Sequence, residues 1–177
     1  MSAKLRRLID YLEGLNGGAP LPELTSRVAA SDIGVDDVAE FIRFSEKAYC
    51  RNLVRAGAWY NLLVLCWRNG QRSPIHDHRG SSCALSVLDG VLTETQFVFA
   101  PNGYIKATGS RDMKPGGIIG SFDDDIHQVS NLQAGRLDLV TLHVYSPPLT
   151  VMGTYSLMDD RRGEEPMLLE FCEAAGI

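Results

Sequence analysis

The residues best suited to chemistry in this sequence are its four histidines, His76, His78, His127 and His143. Two of them form the tripeptide His76-Asp77-His78. Residues i and i+2 of a β-strand point to the same face, so a strand here would present both imidazoles in one direction. Neutral imidazole is the commonest metal ligand in proteins. The tripeptide therefore predicts half of a metal site, although such a pair alone is weak evidence.

The residues around this tripeptide strengthen the prediction. The spacing starts at Gly70 and runs five residues to His76, one to His78, four to Cys83 and six to Gly90. This spacing resembles the first motif of the cupins, with Cys83 in the place of the usual acidic ligand.

A second cupin-like motif lies further along the chain. It consists of Gly109, Pro115, Gly117, His127 and Asn131, and its interval from Gly117 to His127 is longer than in the family pattern. The glycine and proline positions fit tight turns between strands. On a return strand, His127 would lie beside the first two histidines, so we expect a three-histidine site.

The ligand types alone leave the metal open. Three histidines without a carboxylate leave coordination positions free, as in non-haem Fe(II) oxygenases, but such sites also bind Ni, Cu or Zn. A closed zinc site would need a fourth ligand, and Cys83 is the only nearby thiol. On a regular strand Cys83 would face away from His78, and a turn or bulge over residues 79–82 would be needed to reverse it.

Within the cupins, the chain resembles the cysteine dioxygenases over about residues 49–148. The matching stretches, in family order, are YCRNLV (49–54), NLLVLCW (61–67), SPIHDH (73–78), LDGVLTET (88–95), HQVSN (127–131) and LHVYSPP (142–148). The resemblance implies an Fe(II) enzyme that oxidises L-cysteine with O2 to cysteine sulfinic acid. It implies that His76, His78 and His127 hold the iron, and that Arg51, assisted by Tyr49, binds the substrate carboxylate. A guanidinium suits this task because it meets a carboxylate as a bidentate fork.

The resemblance also implies further residues beside the iron. Tyr145 would place its hydroxyl near substrate and oxygen, and His143 would hold that phenol by a hydrogen bond. Thr141, His143 and Tyr145 alternate along the chain, so a regular strand would put them on one face. Cys83 aligns with the cysteine that forms a thioether with the active-site tyrosine in animal members. We therefore predict a Cys83–Tyr145 crosslink, against the alternative of a buried free thiol.

Three other functions are open at this point. The first is dioxygenation of another small thiol such as 3-mercaptopropionate, but enzymes selective for it usually carry Gln where Arg51 stands. The second is a cupin isomerase or other metalloenzyme using Zn, Mn or Ni, which would usually keep the acidic ligand that is absent here. The third is a non-catalytic sensor, which is less favoured because no helix-turn-helix or basic arm accompanies the motifs.

The elements that must position these residues are predicted to change near Tyr49. Before it, the spacing of apolar residues indicates an amphipathic helix that ends at Gly14 and has Leu5, Leu8, Ile9 and Leu12 on one face. Further helices are expected over residues 21–30 and around 35–42. After it, short apolar runs over 61–67, 84–88, 91–99, 117–122 and 137–146 alternate with turn residues, which is typical of an all-β barrel.

We expect one all-β cupin (jelly-roll) domain over residues 1–177. Helices over 1–47 would pack on a barrel over 48–158, and a tail over 159–177, with the apolar patch Met167-Leu168-Leu169, would cover the barrel edge.

Composition excludes several classes of partner. The net charge of −5 comes without a block of like charges, which disfavours nucleic-acid binding. The first residues do not resemble a signal peptide, and no apolar run is long enough to cross a bilayer, so a cytoplasmic protein without membrane contact is expected. A monomer is also expected, although the sequence itself does not give the oligomeric state. Cys50, Cys66 and Cys172 lack CxxC spacing and are predicted to be free thiols.

Overall fold

Two α-helices begin the chain where the apolar periodicity predicts them. The computed structural model describes residues 1–123, 125–168 and 172. Helix α1 (Ala3–Glu13) buries Leu5, Leu8, Ile9 and Leu12, and Ser2 caps it by accepting a hydrogen bond from the backbone N of Leu5 at 3.1 Å. Helix α2 (Leu21–Ser31) buries Leu24 and Val28. The first two predicted helices are thus confirmed.

The third predicted helix is a short 3-10 helix over Val35–Phe41. It buries only Val38, so little packing favours a longer helix. The side chain of Asp37 accepts a hydrogen bond from the backbone N of Gly34 at 2.9 Å and satisfies the first turn.

The remainder of the described chain is built mainly of strands. These are β1 (Cys50–Gly57), β2 (Tyr60–Trp67), β3 (Ile75–His76), β4 (Ser82–Asp89), β5 (Leu92–Phe99), β6 (Ile105–Met113), β7 (Ile118–Phe122), β8 (Ile126–Ser130), β9 (Leu139–Ser146), β10 (Val151–Tyr155) and β11 (Arg162–Pro166). They form two antiparallel sheets, with the orders β1-β2-β9-β4-β7 and β11-β10-β3-β8-β5-β6. The all-β prediction is therefore confirmed, and the five apolar runs correspond to β2, β4, β5, β7 and β9.

Strand β9 is buried along its whole length, and its two faces have different neighbours. Val140, Leu142 and Val144 pack in the cluster that α1 and α2 form on one face of the five-stranded sheet. The alternate residues, among them Tyr145, face the barrel interior. Strand β9 ends at the cis peptide bond between Ser146 and Pro147.

The C-terminal tail adds a strand to the edge of the six-stranded sheet. Strand β11 pairs with β10, with Val151 opposite Pro166. Met167 packs against the interior cluster, whereas Leu168 is exposed. That the whole tail covers the barrel edge stays a prediction; Leu169 lies outside the described residues. The extent of a single domain over residues 1–177 stays a prediction.

Two cysteines that were predicted to be free are not. Cys50 and Cys172 form a disulfide across a sequence separation of 122 residues, with their Cα atoms 4.6 Å apart. Such a pairing needs the fold to bring two distant Cα atoms together, and sequence spacing carries no sign of it. Cys66 and Cys83 are buried free thiols.

No helix in the described part of the chain has the length and apolar character needed to cross a membrane.

Candidate metal centre

Three histidines converge inside the barrel at the ends of neighbouring strands. His76 on β3 lies directly opposite His127 on β8, and His78 follows two residues after His76. Their nitrogen ligand atoms all lie within 4.8 Å of one another. The three side chains are buried, with exposures of 6 %, 1 % and 4 % for His76, His78 and His127. This arrangement has the size and donors of a site for one metal ion.

The tripeptide His76-Asp77-His78 does not form one regular strand. Strand β3 ends at His76, and the backbone N of His78 donates instead to the carbonyl of Asp123 at 2.7 Å. Asp77 points the other way and is held by β10: its Oδ1 accepts from the backbone N of Gly153 at 2.8 Å, and its Oδ2 accepts from the Tyr155 hydroxyl. The two imidazoles still reach one site, as predicted.

Burial keeps two of these imidazoles neutral and therefore able to coordinate. It lowers the pKa of His76 to about 3, with a further contribution from His127. Burial also lowers the pKa of His78 well below its ordinary value. A neutral imidazole has a free lone pair at pH 7, which is the form that binds metal.

The outer nitrogens of the histidines have different partners. Nδ1 of His76 is 3.0 Å from the carbonyl oxygen of Pro74. Nδ1 of His127 is 2.9 Å from Oε1 of the buried Glu94. Nδ1 of His78 is buried with no hydrogen-bond partner among the described residues. In His76 and His127, these contacts leave Nε2 as the nitrogen available to a metal.

A chain of hydrogen bonds runs along the interior face of β9. Nε1 of Trp67 donates to Oγ1 of Thr141 at 3.0 Å, and that oxygen lies 2.9 Å from Nε2 of His143. Nδ1 of His143 is 3.2 Å from the hydroxyl of Tyr145. The three residues predicted to share a face do so, and Trp67 extends their chain.

Cys83 also faces the interior, opposite Tyr145 in the pairing of β4 with β9. The turn that an inward Cys83 would need is present: Arg79 and Gly80 have φ angles of 43° and 82°, and this left-handed pair separates His78 from β4. Burial raises the pKa of the Cys83 thiol to about 12. Burial likewise raises the pKa of Tyr145, so both groups are protonated at neutral pH.

Arg51 brings a positive charge to the same cavity. It is 6 % exposed, and its Nε donates to the carbonyl of Leu168 at 3.0 Å. Among residues 1–123, 125–168 and 172, no carboxylate lies within ion-pair distance of it. The Tyr49 ring stacks on Trp67 with centroids 4.2 Å apart. Besides these polar groups, the cavity is lined by Leu65, Leu85, Ile119, Val129, Met152 and Met167.

Glu94 and Trp67 have no role predicted from the sequence, although both lie in the matched stretches. Glu94 is 1 % exposed on β5. It lies two residues after the buried Leu92, so it occupies an inward position of the strand. An acidic residue in the inward phase of a strand is the signal that could have identified it.

The fold defines a cupin barrel, and the three-histidine cluster inside it fits a metal site. A double-stranded β-helix protein from Klebsiella pneumoniae has a similar fold, with a TM-score of 0.53 and 20 % identity over 62 % of this chain and 81 % of that one. A Thermus thermophilus protein matches equally well, with a TM-score of 0.53 and 17 % identity over 66 % of this chain and 99 % of that one.

The chain belongs to the cysteine dioxygenase type I family, whose model matches residues 21–158. It is 32 % identical to the cysteine dioxygenase type 1 of Bos taurus, over 98 % of this chain and 88 % of the relative. It is 35 % identical to that of Homo sapiens, over 91 % and 82 % of the two chains. Membership of this family makes the protein an oxidoreductase of the dioxygenase class.

Proposed function

We propose that this protein binds Fe(II) through His76, His78 and His127 and oxidises L-cysteine with O2 to cysteine sulfinic acid. One observation carries the proposal. A three-imidazole cluster and a buried guanidinium without a carboxylate partner, in the part of the chain that is described, line the same cavity.

The donor set of the site fits iron. Three nitrogen ligands without a carboxylate leave coordination positions open, and imidazole is a suitable donor for Fe(II). When bound, the iron would supply open positions for a thiolate and for O2, and the electrons that O2 chemistry requires. Family membership favours this metal over Zn, Mn or Ni.

Arg51 supports an anionic substrate. A buried charge without a counter-charge is costly, Arg51 has no carboxylate partner among the described residues, and a carboxylate that entered the cavity would supply one. L-cysteine carries its carboxylate at the end opposite its thiol. Binding of the carboxylate by Arg51 would therefore orient the thiol toward the histidines.

The hydrogen bonds along β9 favour one arrangement of the protons on Thr141, His143 and Tyr145. Trp67 can only donate, so Oγ1 of Thr141 accepts from it. The Thr141 hydroxyl can donate to Nε2 of His143 at 2.9 Å or to the carbonyl of Leu65 at 3.4 Å, and the shorter contact favours His143. His143 then carries its proton on Nδ1 and donates it to the oxygen of Tyr145. The hydroxyl proton of Tyr145 is left to donate into the cavity, toward substrate or oxygen.

We also propose that Cys83 and Tyr145 form the thioether that the family resemblance implies, and the strand pairing supports this. They are directly opposite on adjacent antiparallel strands, where paired Cβ atoms are about 5 Å apart. Bond formation between Sγ and a ring carbon removes one hydrogen from each residue, and O2 takes up the two electrons and two protons to give H2O2. The intact mass of protein incubated with iron, cysteine and O2 should be lower by about two hydrogens. Cys83→Ala should lack this loss, and an unchanged wild-type mass after turnover would exclude the crosslink.

The substrate assignment is tested by comparing two thiols that differ in the amine. Protein loaded with Fe(II) receives L-cysteine or 3-mercaptopropionate, and sulfinate product is measured against O2 consumed. Cysteine should give one sulfinate per O2 and react faster. Faster turnover of 3-mercaptopropionate would retain the dioxygenase and overturn the substrate, and no product from either would overturn the proposed function.

A further inference from the structure

Glu94 stands directly behind one metal ligand. Strand β5 pairs with β8 such that Glu94 is opposite Val129 and Gln96 is opposite His127. Glu94 and His127 are thus diagonal neighbours on one face of the sheet, within reach of a long side chain. Oε1 of Glu94 lies 2.9 Å from Nδ1 of His127, and both side chains are almost completely buried.

The second oxygen of Glu94 is fixed from the other side. Arg111 lies directly opposite Glu94 in the pairing of β5 with β6. Its Nε donates to Oε2 of Glu94 at 2.7 Å, and its Nη2 forms an ion pair with the same oxygen at 2.7 Å. The carboxylate therefore has a defined orientation, held between a guanidinium and an imidazole.

The other two ligands lack such a support. His76 meets a neutral backbone carbonyl, and Nδ1 of His78 has no hydrogen-bond partner in the region that the structure describes. Only His127 among the three contacts a carboxylate there. At the motif position where cupins usually have an acidic ligand, this chain has Cys83, so the direct ligands carry no negative charge.

We propose that Glu94, held by Arg111, is the positioning residue of the metal site and supplies from behind His127 the negative charge that no ligand carries. Its carboxylate accepts a hydrogen bond from the Nδ1–H of His127. This tautomer leaves Nε2 unprotonated and directed toward the metal. A carboxylate in this position also makes the imidazole a stronger donor. This inference rests on the proposed metal binding, but its structural part is testable in metal-free protein.

The first test measures metal affinity without turnover. Fe(II) is titrated anaerobically into metal-free protein in competition with a chelator. Glu94→Gln should weaken binding by roughly 10- to 100-fold, as is typical when the partner of a ligand is lost. The matched control is Asp112→Asn on β6, which removes an exposed carboxylate that contacts Thr93 and should change affinity less than about twofold. Equal affinity of folded Glu94→Gln and wild type would overturn the proposal.

The second test reads the protonation of His127 directly. Nitrogen-15 NMR of metal-free protein labelled at histidine should show His127 protonated at Nδ1 in the wild type and as a mixture in Glu94→Gln, with His127→Gln providing the assignment. A wild type that binds no metal would refute the proposed function alone, and the NMR result would still decide on Glu94. A wild-type His127 protonated at Nε2 would overturn the proposal, as would a tautomer unaffected by Glu94→Gln.

Discussion

At the scale of single residues, the site combines groups that are individually ordinary. A buried histidine, threonine or tyrosine is most often a satisfied core residue. Here Thr141, His143 and Tyr145 share one face of β9 and form one line of hydrogen bonds that ends in the cavity. Under the proposed function, the position of the proton at Tyr145 depends on Thr141, four residues earlier in the chain.

Thr141 therefore offers a sharp test at this scale. Thr141→Val keeps the shape but removes the hydroxyl, so His143 loses the contact that fixes its tautomer. We expect kcat for cysteine to fall roughly 5- to 10-fold, the equivalent of one hydrogen bond of about 1 kcal/mol, with little change in KM.

Thr141→Ser is the matched control, because it retains the hydroxyl and should keep kcat within about twofold of wild type. If the valine and serine variants have the same kcat, the hydrogen bond does not contribute to the reaction. Steady-state kinetics with equal iron loading of all variants makes the comparison.

At the scale of elements, the alternation of apolar and polar residues along β9 could be predicted from the sequence, because its two faces differ in polarity. Val140, Leu142 and Val144 are apolar and pack toward the helices, whereas Thr141 and His143 are polar and face inward. Strand β6 was not predicted, because nearly all of its side chains are exposed and it shows no apolar alternation. A strand that is stabilised mainly by pairing with its neighbours, and not by burial of its own side chains, has no recognisable sequence pattern.

The element that holds the His76-Asp77-His78 tripeptide is β10, through Gly153. A Cβ at this position would lie 2.8 Å from Cγ of Asp77, closer than real contacts allow. Gly153→Ala should therefore displace the tripeptide, reduce the free energy of unfolding by about 1–3 kcal/mol and weaken metal binding.

Gly109→Ala is the control for this prediction, because a Cβ there meets nothing within 4 Å. It should leave metal affinity unchanged and stability within about 0.5 kcal/mol. Urea unfolding and chelator competition measure the two quantities. A Gly153→Ala variant that behaves like Gly109→Ala would contradict the assigned role of β10.

At the scale of the whole molecule, the two cupin-like motifs meet because β3 and β8 are neighbours in one sheet. Motif spacing predicted that His127 would join His76 and His78, and Cys83 was expected inside only if a turn occurred over residues 79–82. The contact of Glu94 with His127 and the pairing of Cys50 with Cys172 were not predicted. Both depend on strand register or on chain closure over long distances, which no local pattern encodes.

The disulfide has a consequence for global stability. It links residues 122 positions apart, so it restricts a long loop in the unfolded chain. Cys172→Ser should lower the free energy of unfolding by about 2–4 kcal/mol under oxidising conditions, measured by urea denaturation.

A thiol reductant should lower the stability of the wild type by a similar amount and leave Cys172→Ser unchanged. If the wild type is equally stable with and without reductant, the disulfide does not stabilise the fold.

Dioxygenation at the three-histidine site is tested most directly by following the oxygen atoms of O2 into the product. Wild-type protein loaded with Fe(II) should convert L-cysteine under ¹⁸O₂ into sulfinate that carries two labelled oxygen atoms, and His78→Gln loaded under the same conditions should form little product. Sulfinate with one labelled oxygen or none, or undiminished product from the His78→Gln variant, would contradict dioxygenation at this site.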